Sequence, residues 1–192
     1  MQGLLSDIYS PCEVDEAEDG ESATEKMKHN EYDLVMMDIQ MPKTDTLGFM
    51  EYIHIKYPKT KVLIFSMSAE RIYAKRFLKA GAKGFLSKSS AVEEIKKAIN
   101  LVIHNRKYIS ETLALSLIEE SLGETAANPF NKLSSREFEI ATLLLSGNTN
   151  SNISGSLNIH TSTIGTHKTR LFEKLGITNI LELKELANGY NF

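Results

Sequence analysis

A run of apolar residues that ends in an aspartate stands early in the chain, in the segment YDLVMMDIQMP at residues 32–42. A short apolar run of this kind is typical of a strand buried in a parallel sheet, whose two faces are both covered by helices. Similar runs recur and alternate with amphipathic segments, which predicts an α/β domain. The predicted strands are residues 12–17, 34–38, 62–66 and 84–87, and the predicted helices lie near residues 20–30, 45–57, 69–81 and 91–105.

The alternation of strands and helices ends near residue 105. Residues 111–121 predict a short helix, and the small residues and Asn-Pro pair of residues 123–131 interrupt the pattern. No strand pattern follows in the sequence. The expected divisions are an α/β domain at residues 1–106, a linker with a short helix at 107–130 and a small all-α domain at 131–192.

Helix signals dominate the C-terminal part of the chain. Ser134 and Glu137 have the spacing of a capping box, in which each side chain bonds a backbone amide at the start of the helix. Gly147 is placed to end that helix, since glycine adopts the left-handed conformation at low cost. Two further helices are predicted, at residues 150–157 and 162–175.

Composition excludes several classes of protein. The longest apolar runs fall far short of the roughly 20 residues that span a bilayer, and the first ten residues do not resemble a secretion signal. We therefore expect a cytoplasmic protein with no membrane contact. Cys12 is the single cysteine, so an internal disulfide is excluded, and the five histidines lack metal-ligand spacing. The sequence has no GxSxG motif and no P-loop, so we do not expect a metabolic enzyme.

Polar side chains stand at the ends of three predicted strands. These residues are Asp38, Ser66 and Lys88. Because the carboxyl ends of parallel strands meet at one edge of the sheet, the three side chains are expected to lie close together. A carboxylate that attacks a phosphodonor needs neighbouring donors that neutralise the phosphoryl oxygens. The pattern therefore predicts Asp38 as a nucleophile assisted by Ser66 and Lys88.

The N-terminal part of the chain resembles the receiver domains of response regulators. The resemblance rests on these three residues, the Met-Pro pair after Asp38 and the segment AGAKGF before the last strand. The resemblance covers residues 1 to about 105 and implies a flavodoxin-like fold. It implies that a sensor histidine kinase phosphorylates Asp38 and that Ser66 and Lys88 contact the phosphate. It also implies that Phe85 is the aromatic residue that switches with phosphorylation.

Receiver domains also hold Mg²⁺, and here the sequence departs from the family pattern. Receivers open with a strand that ends in paired acidic residues, whereas this chain begins in what resembles the middle of the first helix. The surviving Mg²⁺ ligands would be the Asp38 carboxylate and the Gln40 carbonyl. We therefore expect acyl phosphates to label the chain poorly, because Asp38 alone is a weak magnesium site.

The first strand of a receiver lies in the middle of the sheet, in the strand order 2-1-3-4-5. Without it, the strands predicted at residues 12–17 and 34–38 would each have an unpaired side, which natural sheets avoid or use for pairing with another chain. Two explanations remain open. Either upstream residues are missing from this chain, or the sheet is repaired by strand exchange or direct pairing between chains.

Residues 133–183 resemble the LuxR-type helix-turn-helix domain of the NarL/FixJ regulators. The matching features are the Leu-Ser-x-Arg-Glu opening, Gly147, Asn150, Ile153, Leu157, Ile159, Ser162-Thr163-Ile164, His167 and Lys174-Leu175-Gly176. The resemblance implies that the helix at residues 162–175 enters the major groove of double-stranded DNA. The candidate DNA-binding residues are Thr163, Thr166, Lys168, Thr169 and Arg170.

Gly165 occupies a position where relatives often carry lysine, and glycine costs about 1 kcal/mol in a helix interior relative to alanine. We therefore expect modest, salt-sensitive DNA affinity and binding as a homodimer to a two-fold site. The leading hypothesis is a transcription regulator whose DNA binding is modulated by phosphorylation at Asp38. The alternative is a protein-interaction module with a degenerate receiver that dimerises without phosphorylation or productive DNA binding.

Overall fold

Three parallel strands form the sheet of the N-terminal half. The computed structural model describes Leu5, Tyr9 and residues 11–122, 128–157 and 159–190. The strands pair in the order β1-β2-β3, with β1 at Leu34–Met37, β2 at Lys61–Ser66 and β3 at Gly84–Ser87. The central strand is the most deeply buried, because both of its edges are paired and both of its faces are covered. Three of the four predicted strands are therefore confirmed.

In the described part of the N-terminal half, four helices pack on this sheet. They are α1 at Gly20–His29, α2 at Thr46–Lys56, α3 at Glu70–Lys79 and α4 at Val92–Ile103. One face of the sheet packs against a core that includes side chains from α1, α2 and α3, and the other face packs mainly against α4. The buried side chains contributed by these helices include Met27, Met50, Ile53, Phe77, Ile95, Ile99 and Val102.

The strand predicted at residues 12–17 does not form. These residues lie outside the sheet, and all of them except Val14 are exposed. A strand forms only where a neighbouring strand shares its ladder of hydrogen bonds, and the described sheet consists of β1, β2 and β3. For the same reason, β1 pairs with β2 on one side and has no strand partner on its other side within the described part of the chain.

The C-terminal half is helical, as predicted. It comprises α5 at Glu111–Leu122, a short 3-10 helix at Pro129–Lys132, α6 at Ser135–Leu145, α7 at Asn150–Leu157, α8 at Thr161–Leu175 and α9 at Ile180–Gly189. Ser134 and Glu137 form the predicted capping box, and Gly147 adopts a left-handed conformation with φ of 84°. Within the described ranges, no helix is both long enough and apolar enough to cross a membrane.

Candidate functional site

The structure brings Asp38, Ser66 and Lys88 together at the carboxyl edge of the sheet. Asp38 follows β1, Ser66 ends β2 and Lys88 follows β3. The Ser66 hydroxyl donates to Asp38 Oδ1 at 2.7 Å, and the Lys88 ammonium donates to Asp38 Oδ2 at 2.7 Å. The backbone amide of Gln40 also donates to Oδ1, at 3.1 Å. Both carboxylate oxygens are thus held by donors from different strands and from the following loop.

These bonds determine the charge state of Asp38. Burial raises the pKa of the Asp38 carboxyl, but the hydrogen bonds from Lys88 and Ser66 outweigh burial and leave the pKa below its ordinary value. Asp38 is therefore a carboxylate at neutral pH, and its side chain remains 28% exposed. An accessible carboxylate between a cation and a hydroxyl is chemically suited to accept a phosphoryl group.

Ser66 and Phe85 lie beneath the surface. Ser66 is fully buried, and its hydroxyl also accepts the backbone amide of Ser68 at 3.2 Å. Phe85 is 1% exposed and packs in the core of the α/β domain with Phe77 and Ala82. The aromatic ring predicted to switch is therefore enclosed in this structure.

The described residues do not make a complete magnesium site. They contain no group of three or more His, Cys, Asp or Glu side chains placed to hold a metal. Asp38 and the Gln40 carbonyl remain the candidate ligands, and one carboxylate is a poor substitute for the octahedral oxygen set that Mg²⁺ prefers. Other nearby acids are engaged elsewhere, since Asp15 accepts the Tyr32 hydroxyl at 2.6 Å and Asp19 caps α1.

The predicted recognition helix corresponds to α8. Its inner face carries Ile164 and Leu171, which are completely buried. On its outer face Thr166 and Thr169 are exposed, and each donates to the carbonyl one turn earlier, at 3.2 Å. Thr163 and Arg170 are also exposed, whereas Lys168 is half-buried with its ammonium 5.4 Å from the Phe172 ring centroid. The hydroxyls of Thr163, Thr166 and Thr169 and the Arg170 guanidinium therefore share one accessible face, whereas Lys168 lies on the side of α8 that carries Phe172.

An ion pair between the exposed Lys174 and the buried Glu137 links α8 to α6. Lys174 Nζ lies 2.6 Å from Glu137 Oε2, and Glu137 is only 3% exposed. Burial raises the pKa of Glu137, but the bonds from Lys174 and the Ser134 amide outweigh burial and lower it overall. The sequence identified Glu137 only as a cap, because the spacing of a capping box carries no information about contacts between helices.

The α/β domain and the helical domain are docked through α3. The Arg76 guanidinium donates to the carbonyls of Leu133, at 2.9 Å, and Phe130, and it lies 3.9 Å from the centroid of the Phe138 ring. Tyr73 meets the same ring edge to face at 5.5 Å. Burial lowers the pKa of Arg76 to about 10, so the guanidinium remains charged at neutral pH. In this docked arrangement the outer face of α8 stays exposed.

Two family models match the chain. Residues 1–100 match the response regulator receiver domain, and residues 131–187 match the bacterial regulatory proteins of the luxR family. The chain belongs to the response regulators that carry a LuxR-type domain. The predicted family, fold class and general function are therefore confirmed, and the interaction-module alternative is not favoured. From here the two parts are called the receiver and the output domain.

Curated relatives and solved structures agree with this assignment. The chain is 33% identical over 184 residues to response regulator GacA of Pseudomonas protegens, covering 96% of this chain and 86% of the relative. It is 33% identical over 191 residues to response regulator UvrY of Escherichia coli K12, covering 97% and 86%. Its fold matches Salmonella enterica RcsB bound to promoter rprA with phosphomimetic BeF3−, at TM-score 0.70 and 22% identity over 96% of this chain and 89% of RcsB.

Proposed function

We propose that phosphorylation of Asp38 by a sensor histidine kinase modulates sequence-specific binding of this response regulator to double-stranded DNA, and thereby transcription. The observation that carries the proposal is the set of hydrogen bonds that Ser66 and Lys88 make to the Asp38 carboxylate. These two donors lie where they would bond the oxygens of a phosphoryl group on Asp38. The same chemistry is self-modification, so we propose no metabolic reaction.

The contacts around Ser66 supply a route from Asp38 to the output domain. On phosphorylation the Ser66 hydroxyl would exchange its bond to Asp38 for one to the phosphoryl oxygens. That exchange would alter the bond between Ser66 and Ser68, which lies two residues before the start of α3. Because Phe85 is packed in the same core as α3, a change there would also reach the helix. Helix α3 carries Arg76, the residue that binds the output domain.

We assign DNA contact to the outer face of α8. Thr163, Thr166 and Thr169 would meet base edges, and Lys168 and Arg170 would meet phosphates. Two solved RcsB structures are described as bound to promoters rprA and P1flhDC, and another as two RcsB dimers on two parallel DNAs. By that likeness in fold we propose that this chain also binds DNA as a homodimer. We also propose that the protein is cytoplasmic.

Pairing between chains has a candidate surface in the receiver. Among the described residues one edge of β1 has no strand partner, and such edges recruit another strand. We propose strand exchange or edge pairing at β1 as one route to the dimer. We also propose that the chain divides into a receiver at residues 1–106, a linker at 107–130 and an output domain at 131–192. Light scattering after gel filtration tests the dimer, since a monomer mass at all concentrations would contradict pairing of the unphosphorylated chain.

The phosphoacceptor assignment is tested by intact mass after incubation with acetyl phosphate and Mg²⁺. We expect a gain of one phosphate on a minor fraction of the protein, because the described residues offer Mg²⁺ a single carboxylate. Asp38→Asn should abolish the gain, and Asp33→Asn, at an exposed aspartate nearby, should retain it. Label that survives in Asp38→Asn would contradict the assignment. If the wild-type protein is labelled stoichiometrically and Asp38→Asn is not labelled, the phosphoacceptor assignment is supported. The same result would refute the expected weakness of the magnesium site.

DNA binding is tested by fluorescence anisotropy on a fragment from the gene's own upstream region and on pooled genomic fragments. If Lys168 and Arg170 of each protomer contact phosphates, raising salt from about 50 to about 200 mM should weaken binding by about 100-fold. Lys168→Ala/Arg170→Ala should reduce both affinity and the salt slope. Lys96→Ala/Lys97→Ala removes the same charge from exposed positions on α4 and should change neither.

Absence of binding to every fragment would point instead to the interaction module. In that case pairing between receivers should respond weakly to salt, because apolar and mixed-charge contacts release few counterions.

A further inference from the structure

A cluster of three charged side chains joins the receiver to the output domain. Asp45 lies in the loop that follows Asp38, where its Oδ1 accepts the Gly48 amide at 2.9 Å and caps α2. Across the domain boundary, Arg136 Nη2 lies 3.6 Å from Asp45 Oδ2, and Arg136 Nη1 lies 2.8 Å from Glu139 Oε2. One cation is therefore shared by two carboxylates that come from different domains.

The cluster is substantially shielded from water. The side chains of Asp45, Arg136 and Glu139 are 29%, 25% and 20% exposed. In such surroundings one guanidinium does not compensate two carboxylate charges, because the second charge is desolvated and lies near the first. The net charge of the cluster is zero when one of the two carboxyl groups takes up a proton.

We propose that Asp45, Arg136 and Glu139 form a proton-dependent latch, in which docking of the output domain on the receiver is favoured when Glu139 is protonated and weakened when it is ionised. The protonated side chain leaves Arg136 to pair with Asp45 across the boundary. Ionisation of Glu139 places a second negative charge beside Asp45 in the interface. Separation of the domains removes the repulsion between the Glu139 and Asp45 carboxylates and exposes Glu139 to water.

The titration of Glu139 agrees with this geometry. Burial, assisted by the charge of Asp45, raises the pKa of Glu139 from 4.5 to about 7 in the docked protein, against the opposing effect of Arg136. Asp45 belongs to the receiver, so separation of the domains removes its charge and lowers the pKa of Glu139, and docking takes up a proton. The docking equilibrium should weaken as pH rises towards about 7 and should change little above that value.

Other ionisable groups around the cluster do not titrate in a way that replaces Glu139. His167 of α8 faces Arg136, and burial, followed by the Arg136 charge, lowers the pKa of its imidazole. That shift disfavours proton uptake, which is the opposite of the effect at Glu139. Glu137, on the same helix as Glu139, is paired with Lys174 of α8. Arg76 of α3 keeps its charge and its bonds to backbone carbonyls, so docking should weaken rather than vanish at high pH.

Solvent protons have a route to the latch. Glu139 borders a cleft of about 810 Å³ between the loop after Asp38 and helices α6 and α7. The cleft is lined on the receiver side by Met41 and Leu47, among others. Protonation therefore does not require the domains to separate first.

Energy transfer between two dyes on the full chain tests the latch. In a Cys12→Ser background, Lys59→Cys and Lys184→Cys place the dyes at exposed positions on the receiver and the output domain. Between about pH 5.5 and about pH 7.5 we expect the ratio of docked to undocked protein to fall about tenfold. Glu139→Gln should remove this dependence and hold the ratio at its acid value. Asp45→Asn should move the transition to lower pH, because the charge that disfavours ionisation of Glu139 is gone.

Two matched variants serve as controls. Glu185→Gln, at an exposed glutamate of α9, and His167→Gln should each keep the wild-type transition. A transition that persists in Glu139→Gln, or a wild-type ratio that does not change with pH, would overturn the proposal. If circular dichroism shows that Glu139→Gln is unfolded, the pH midpoint of the Asp45→Asn variant decides. A midpoint that is not lowered would overturn the proposal. The measurement uses neither DNA nor a phosphodonor, so its failure is separate from failure of the proposed function.

Discussion

The strand β1 of the receiver sheet is less buried than the core of the output domain. In the receiver, β1 has no strand partner beyond β2 within the described residues, and Leu34, Val35 and Met36 are only half-buried. In the output domain a continuous core is fully enclosed; its completely buried side chains include Ile140, Ile153, Ile164, Leu171 and Leu183. The described core of the output domain is therefore shielded from water, whereas the described receiver leaves an edge of β1 that natural sheets pair or cover.

The same contrast holds for the two sites. Asp38 accepts hydrogen bonds from three donors on separate segments, so the receiver site is organised before any phosphoryl group arrives. Thr166 and Thr169 of α8 donate to carbonyls of their own helix, so their hydroxyls can rotate towards a new partner at low cost. One site is rigid and positions a reaction, and the other adapts to the ligand that it meets.

The largest expected effect tests the difference between the two cores. Leu171→Ala should lower the free energy of unfolding by about 3 kcal/mol, because a completely buried side chain leaves a cavity. Met36→Ala, on the half-buried strand β1, should cost about 1 kcal/mol. Urea unfolding followed by circular dichroism measures both. Equal costs would show that the edge of β1 is covered in solution, which supports pairing between chains.

A smaller effect tests the attachment of the recognition helix. Glu137→Gln keeps a capping residue but removes the ion pair with Lys174, and should cost about 1.5 kcal/mol at neutral pH. Because the pKa of Glu137 is lowered in the folded protein, its contribution is present above the unfolded pKa and is lost as pH falls through the folded value. The difference between wild type and variant should therefore disappear in acid.

The matched variant on the same helix is Glu139→Gln. The pKa of Glu139 is raised to about 7, so its ionised form opposes the docked fold above that pH. Replacement by glutamine should therefore leave the unfolding free energy unchanged or increase it at pH 8. A loss of stability in both variants would contradict the opposite signs inferred for the two glutamates.

Local signals were sufficient to predict most elements and the receiver site. The apolar runs at 34–38, 62–66 and 84–87 became strands, and Asp38, Ser66 and Lys88 meet because parallel strands end at a common edge. The run at 12–17 has a similar local pattern but forms no strand. Membership of a sheet depends on a neighbouring strand, which a local pattern does not contain.

The contacts between the domains could not be predicted. Arg76 binds carbonyls more than 50 residues further along the chain, and Asp45 pairs with Arg136, which lies on a different domain. Neither contact has a periodicity or motif, because each depends on how two folded surfaces meet. The sequence placed Arg136 only within the Leu-Ser-x-Arg-Glu opening and gave no partner for it.

The smallest expected effect concerns Gly165, in the middle of α8. A Cβ atom built at this position meets nothing within 4 Å, so a side chain fits without displacement. Gly165→Ala should therefore raise the unfolding free energy by about 0.8 kcal/mol, from helix propensity alone. Gly165→Lys should give a similar gain and also tighten DNA binding, with a steeper dependence on salt. The matched variant Gly155→Ala, on α7, also meets open space and should stabilise without strengthening the salt dependence. If Gly165→Lys stabilises the fold but leaves DNA affinity and salt slope unchanged, residue 165 does not face the phosphate backbone, and the assignment of the outer face of α8 to DNA must be revised.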